Sequence, residues 1–285
     1  MAPDEGWKTR ANIAASCLTG SAVIALTNPL DCLKSRFQVA NPSSGGVLAF
    51  GGALIRKDGV WASLWRPGLA TNMCACTISV GTRIGLYPSL RDALAPAEGD
   101  ESRALGALGK VASGLFGGAL GYTVAAPFFY ATRVSHVQDD GRLGISTLRR
   151  LASPGVRSLW KGAPLLVARG AVMSGTQLAT YDLTKGVMIQ NGLLDDGTLL
   201  HCASSLAASV ALTTAMIPLD VTLTHYQVNA GASSPLKVAS HLLKTRGPAI
   251  FFRGWVPLWA RFLPSTVLTF VIFEQARKLL LGEFL

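Results

Sequence analysis

The stretch Pro29-Leu-Asp31-Cys-Leu-Lys34-Ser-Arg36 decides the fold, because its opening residues return twice along the chain. They recur as Pro218-Leu-Asp220, and a weaker copy reads Pro127-Phe-Phe129. The successive prolines are 98 and 91 residues apart. A nearly constant spacing of this kind indicates an internal structural repeat.

Two further markers follow each proline in the same order. One is an aromatic residue and a base beside a glycine, and the other is an aromatic residue with a base four positions later. They read Trp65-Arg66-Pro67-Gly68, Trp160-Lys161-Gly162 and Phe252-Arg253-Gly254, then Tyr87/Arg91, Tyr181/Lys185 and Phe273/Arg277. We therefore predict three repeats, 1–98, 99–193 and 194–285, within one domain.

The composition favours a membrane protein over a nucleic-acid binder. The 285 residues carry a formal net charge of +10, yet only 15% are charged and 49% are hydrophobic, whereas soluble domains average about 25% charged. Six stretches approach the roughly 20 residues that cross a bilayer. Three are uncharged, 11–30, 111–132 and 197–219. The other three, about 68–92, 163–185 and 256–277, have further charges near their ends and are interrupted by Arg83, Arg169 and Arg261 respectively.

Each repeat thus predicts a helix that ends at its proline, a basic loop with a short amphipathic helix, and a second helix. The amphipathic helices are expected near 45–57, 143–152 and 234–245. The predicted fold is an all-α membrane protein with six transmembrane helices in three pseudo-symmetric repeats. Because proline removes an intrahelical hydrogen bond, we expect Pro29, Pro127 and Pro218 to kink the odd helices.

The basic residues are unevenly distributed between the two sides. The loops after the uncharged spans hold fifteen Lys and Arg residues and five acids, and the opposite side holds eight bases and eleven acids. The positive-inside rule places these loops on the negative-potential side and both termini on the other. The first residues, with two acids, lack the layout of a secretory signal, so we expect the first span to belong to the mature fold.

Other classes of function have little support in the sequence. The five cysteines lie in apolar runs without paired histidines, which excludes a disulfide framework and makes a metal site improbable. The sequence shows no phosphate loop and no nucleophile paired with a base. We expect no enzyme activity, no metal and no cofactor.

The complete Pro29-x-Asp31-x-x-Lys34-x-Arg36 signature and the three repeats resemble the mitochondrial carrier family, solute carrier family 25. Segments 83–87, 177–182 and 264–275 are similar to its dicarboxylate, oxoglutarate and oxaloacetate branch. The resemblance implies an inner-membrane carrier that moves a small anion, a dicarboxylate or 2-oxo acid such as malate or oxaloacetate, by alternating access. The basic loops then face the matrix and the termini face the intermembrane space.

In this family the proline elements form a ring of ion pairs that closes the cavity on the matrix side. Transferred by position, the pair Asp220 with Lys34 survives. Asp31 would face Thr132, although the neighbouring Arg133 could reach it. The third link becomes apolar, Phe129 facing Leu223.

The resemblance implies a second ring at the intermembrane-space ends of the even helices. Its expected charged members are Arg91, Asp182, Lys185, Glu274 and Arg277. Pro88 takes the first acidic place, so at most two pairs between repeats can form. Incomplete rings predict loose coupling, with uniport or leak beside exchange.

Two arginines are expected deep in the membrane. Arg169 and Arg261 each precede an acid of the second ring by thirteen residues, which is roughly 20 Å along a helix. An arginine there costs about 2.5–3.5 kcal/mol unless it faces water, a partner or a ligand. The resemblance implies that Arg169 and Arg261 contact the substrate. It implies the same for Arg83 and for the two residues level with it, Gln177 and Thr269. With no matching acid at that depth, these groups suit a dianion; the alternative is internal pairing with the acids of the rings.

Two expectations concern partners. Cardiolipin is expected at the N-termini of the short helices, because basic pockets there suit its head group. Gly68, Gly162 and Gly254 mark these places by resemblance. The rival function is a carrier-fold accessory subunit of a larger inner-membrane complex, with transport reduced or lost. Three departures from the family pattern motivate that alternative. Thr132 and Ala75 each replace a base, and Pro88 replaces an acid.

Overall fold

The computed structural model describes residues 5–40, 46–93, 103–138, 144–192, 198–229, 231 and 233–281, and these residues form helices and short connections without strands. The long helices are α1 (Glu5–Val39), α3 (Leu69–Ala93), α4 (Arg103–Gln138), α6 (Ala163–Gln190), α7 (Thr198–Val228) and α9 (Trp255–Leu281). The short helices are α2 (Val47–Val60), α5 (Ile145–Ala152) and α8 (Pro235–Arg246). The predicted all-α fold is confirmed, while the repeat boundaries at 98/99 and 193/194 lie outside the described residues.

The six long helices form a closed ring in chain order. The second long helix of each repeat packs on the first helix of the next repeat, α3 on α4, α6 on α7 and α9 on α1. Among the residues described, two helices, over Arg10–Val39 and Cys202–Val228, are by themselves long and apolar enough to cross a membrane. The short helices all belong to one end of the ring, which we call the basic end.

The first helix of each repeat continues beyond its proline, contrary to the prediction that it ends there. Pro29, Pro127 and Pro218 lie inside helices that run on for nearly three turns. Proline removes only one hydrogen bond, that to the carbonyl four residues earlier. The helices therefore extend further toward the basic end than the apolar stretches suggest.

Tryptophan side chains take the place of the missing proline N–H groups. The indole Nε1 of Trp65 donates to the carbonyl of Ala25, four residues before Pro29, at 2.8 Å. Trp160 donates in the same way to the carbonyl of Thr123, four residues before Pro127, at 2.9 Å. In the third repeat phenylalanine replaces this tryptophan, and Trp255 donates instead to the hydroxyl of Thr214 at 3.1 Å.

A glycine in the left-handed region starts each second helix against the next repeat. The φ angles are 64° at Gly68, 82° at Gly162 and 84° at Gly254. A Cβ at Gly162 would stand 2.8 Å from Leu223 Cδ1, closer than non-bonded carbons approach. Gly162 also packs on Gln227, and the other two glycines pack on the symmetry-related positions, His136 and Gln38.

The basic residue beside two of these glycines also binds the neighbouring repeat, through a hydrogen bond to a backbone carbonyl and a cation–π contact. Arg253 donates from Nε to the carbonyl of Phe37 at 2.7 Å and lies 4.4 Å from the centre of its ring. Lys161 donates to the carbonyl of Asn229 at 2.7 Å and lies 4.9 Å from the centre of the Tyr226 ring. Burial lowers the pKa of the Lys161 ammonium. The repeats are thus joined at the basic end by equivalent contacts.

Candidate functional site

A cavity of about 200 Å³ lies inside the helix ring. Five cationic side chains line it: Lys34, Arg83, Arg133, Arg169 and Arg261. Asp31 is the acid in its described wall, and the buried Asp220 lies behind it in contact with two of the cations. Five cations against two acids leave an excess of three positive charges, which favours an anionic ligand.

Asp31 forms an ion pair with Arg261. The carboxylate, on α1, accepts a hydrogen bond from the guanidinium, on the neighbouring α9. The side chains are 9% and 25% exposed, so the pair is largely removed from solvent. Asp31 would otherwise be an unpaired buried carboxylate, because Thr132 stands where the family pattern has its basic partner.

Asp220, which is fully buried, is the centre of a second cluster of charged side chains. Lys34 donates to its Oδ2 at 2.8 Å, which is the expected pair, and Gln38 donates to the same oxygen at 2.9 Å. The Nε atom of Arg169 lies 2.8 Å from Oδ1, paired by charge but not aligned for a hydrogen bond. Asp220 thereby joins α1, α6 and α7 at the basic end.

Thr132 and Arg133 do not compensate for the missing base. The hydroxyl of Thr132 lies within hydrogen-bonding distance of the Thr71 hydroxyl, at 3.0 Å, and of the Phe128 carbonyl, at 2.8 Å. Arg133, suggested as a partner of Asp31, instead donates to Gln227 Oε1 at 3.0 Å. That suggestion was wrong because Arg261 already occupies the carboxylate.

The third link of the ring is apolar, as the sequence predicts. Phe129 packs against an apolar cluster that contains the fully buried Leu223. Ala126, Ala163 and Leu166 complete the buried part of the cluster. An apolar pair at this position closes the cavity without burying an unpaired charge.

The central arginines come together, but two of them are already paired. Arg83, Arg169 and Arg261 all line the cavity, as expected, yet the prediction that they lack a matching acid is wrong for the last two. The long guanidinium side chains reach the carboxylates at the basic end. Arg83 is exposed and has no ion pair or hydrogen bond within the described part of the chain. Gln177 and Thr269 are also exposed and do not line the cavity.

The predicted ring at the other end is described only in part. Asp182 is exposed and Lys185 is half-buried, with contacts of its own. The side chains of Arg91, Glu274 and Arg277 lie outside the described residues. Their pairing stays a prediction.

Sequence reasoning missed two glutamines at the basic end. Gln38 accepts a hydrogen bond from Thr224 in addition to its contact with Asp220, and Gln227 donates to the carbonyl of Lys161 at 2.8 Å. Both lie nine residues after their proline. That shared offset is the signal in the repeat that could have identified them.

Comparison with known proteins agrees with this architecture. A family model for the mitochondrial carrier protein matches residues 7–97, 103–192 and 195–284. Mitochondrial uncoupling protein 5 of Arabidopsis thaliana is 30% identical over 94% of this chain and 95% of its own. The mitochondrial dicarboxylate carrier of Caenorhabditis elegans is 28% identical over 91% of both chains. Mitochondrial brown fat uncoupling protein 1 of Canis lupus familiaris is 29% identical over 94% and 92%. Because the three tandem matches cover nearly the whole chain, it belongs to the mitochondrial carrier family of inner-membrane transport proteins.

Proposed function

We propose that this protein carries a small dianion, a dicarboxylate or 2-oxo acid such as malate or oxaloacetate, by alternating access. The observation that supports this most is the excess of positive charge around one cavity, with Arg83 unpaired among the described residues. A guanidinium binds a carboxylate through two parallel hydrogen bonds. A dicarboxylate would use two such groups and leave the site close to neutral. The relative named as a dicarboxylate carrier supports the same class.

The ion pairs suggest how binding would open the basic end. Arg169 and Arg261 are held by Asp220 and Asp31, which also help to close that end. A bound dianion competes for the same guanidinium groups and weakens both contacts. A ligand shifts a conformational equilibrium only by its differential affinity for the two states, and this competition supplies such a difference.

The proposal also covers orientation and lipid. The basic end faces the matrix, because its loops carry most of the Lys and Arg residues, and the termini face the intermembrane space. Cardiolipin is the proposed bound lipid at this end. The N-termini of α2, α6 and α8 have no side-chain cap, and free backbone N–H groups there suit a phosphate.

The test is uptake of labelled malate and oxaloacetate into proteoliposomes. Arg83→Gln is the sharpest variant, because removing this side chain leaves no buried acid without its partner. We expect uptake at low substrate concentration to fall at least about tenfold, as the loss of a charge-assisted contact worth about 1.5–3 kcal/mol implies. The exposed Arg157→Ala is the matched control and should transport normally.

A second variant tests the paired arginines. Uptake should be abolished by Arg169→Ala combined with Arg261→Ala, with folding checked by thermal melting. Absence of uptake by folded wild-type protein, with several internal counter-substrates, would contradict the carrier proposal. It would favour an accessory subunit with protein partners in an inner-membrane complex, and a native gel would then show a mass well above one chain.

A further inference from the structure

His136 breaks the symmetry of the basic end. It lies nine residues after Pro127, the position that Gln38 and Gln227 occupy in the other repeats. The two glutamine side chains are hydrogen bonded to neighbouring helices or loops. His136 is 2% exposed, lines the cavity, and its Nε2 atom is buried with no hydrogen-bond partner among the described residues.

The surroundings of His136 are mostly cationic. Asp31, Lys34 and Arg36 face it from α1, and Arg133 acts on it from its own helix. The thiol of Cys32 and the Nε atom of Arg36 donate to its backbone carbonyl. The ring edge packs on Gly68, where a Cβ would stand 3.2 Å from Nε2; Thr71, nearby on α3, does not titrate. Burial of the ring, and then the excess of three cations over one acid, favour a neutral imidazole while the cavity is empty.

We propose that His136 is a proton-binding site whose protonation accompanies anion binding, so that the protein moves a proton together with its dianion. The inference rests on the proposed function. A dianion adds two negative charges to the cavity that His136 lines, and this removes most of the local excess of positive charge. The imidazole lone pair at Nε2 then accepts a proton from water on the side of entry. The proton returns to water on the other side when the anion leaves, and no other bond forms or breaks.

The glutamines at the symmetry-related positions provide the test variant. His136→Gln inserts a side chain that the fold already accommodates twice and that cannot titrate. The matched control is His241→Gln, which removes a histidine from the exposed face of α8. Both variants keep the five cations of the cavity.

The first measurement is calorimetric titration of purified protein with malate near pH 7, in buffers of different ionisation enthalpy. Malate is fully ionised at this pH, so proton uptake must come from the protein. We expect wild type and His241→Gln to take up between about half a proton and one proton per malate, and His136→Gln to take up almost none. Equal uptake by His136→Gln and wild type would overturn the proposal.

Wild-type protein alone supplies a second test that is independent of how the variant folds. If binding is linked to one proton, affinity for malate must fall as pH rises, by up to tenfold per unit between the histidine pKa values of the free and the bound protein. A dissociation constant unchanged from pH 6 to pH 8 would overturn the proposal. No malate binding at all would instead refute the proposed function, and the inference with it.

Discussion

At the scale of single residues, the arrangement of the site depends on how a buried carboxylate is neutralised when the basic residue of the family pattern is absent. Asp31 has lost its expected base to Thr132, and Arg261 neutralises it from the adjacent helix. Asp220 keeps Lys34 and gains Arg169. A buried carboxylate without a cation is costly enough that a long side chain is drawn to it. The central arginines therefore have a structural role before any substrate arrives.

This role predicts the behaviour of a double-mutant cycle on Asp31→Asn and Arg261→Gln. Each single change leaves a charge with little solvent and no partner, and should destabilise the protein by about 3–5 kcal/mol. The double variant should lose clearly less than the sum, because no unpaired charge remains. Thermal melting in detergent checks this, with the exposed Asp182→Asn expected to stay within about 0.5 kcal/mol of wild type. Additive losses would show that the pair is not coupled.

The residues of the site could be predicted better than their partners. The distance of Arg169 and Arg261 from the acids of the second ring predicts that both lie deep in the membrane. The positions of Lys34 and Asp220 in their repeats predict their ion pair. Internal pairing with the acids of the rings is the alternative that the sequence allows, and the structure shows it for both arginines. The outcome depends on side-chain reach between helices, which a linear sequence does not contain.

At the scale of elements, two of the three prolines are accommodated by a tryptophan side chain from the segment before the second helix. Trp65 and Trp160 donate to the carbonyl groups that Pro29 and Pro127 leave without a helical partner. This explains why the helices continue past the prolines, which the uncharged spans alone did not predict. The sequence places tryptophan at the same point in two repeats, but only the fold shows that point to lie beside the proline.

Trp160→Phe should therefore destabilise the protein by about 0.5–1.5 kcal/mol, the net contribution of one hydrogen bond, because this bond lies at an exposed position. Pro127→Ala restores a backbone N–H that can bond to Thr123, so the same tryptophan change should cost less in that background. Melting temperatures of the four proteins in this cycle give the coupling. Trp7→Phe, which changes an exposed tryptophan, is the control and should have the melting temperature of wild type. Equal losses in both backgrounds would contradict the role given to Trp160.

At the scale of the whole molecule, three nearly equivalent repeats close the basic end by three different means. One junction has the Lys34–Asp220 ion pair, and a second has Asp31 paired with Arg261 beside Thr132. In the third, Phe129 packs against the apolar cluster that contains Leu223. In a carrier whose closure depends on several ion pairs, opening requires substrate contacts that offset them. With fewer such pairs, the empty protein should reopen more easily, and we expect net uptake without exchange.

Restoring the missing link should make transport depend more strongly on internal substrate. Phe129→Asp combined with Leu223→Lys adds an ion pair to the third junction, so the empty carrier should return across the membrane more slowly. The measurement is the ratio of malate uptake into malate-loaded and empty proteoliposomes, which should rise several-fold above the wild-type ratio. Phe129→Leu keeps the junction apolar and should leave the ratio unchanged. Because a buried pair in this apolar cluster also costs desolvation, melting must first show that the double variant is folded. A folded variant with the wild-type ratio would mean that the number of ion pairs at the basic end does not set the balance between uniport and exchange.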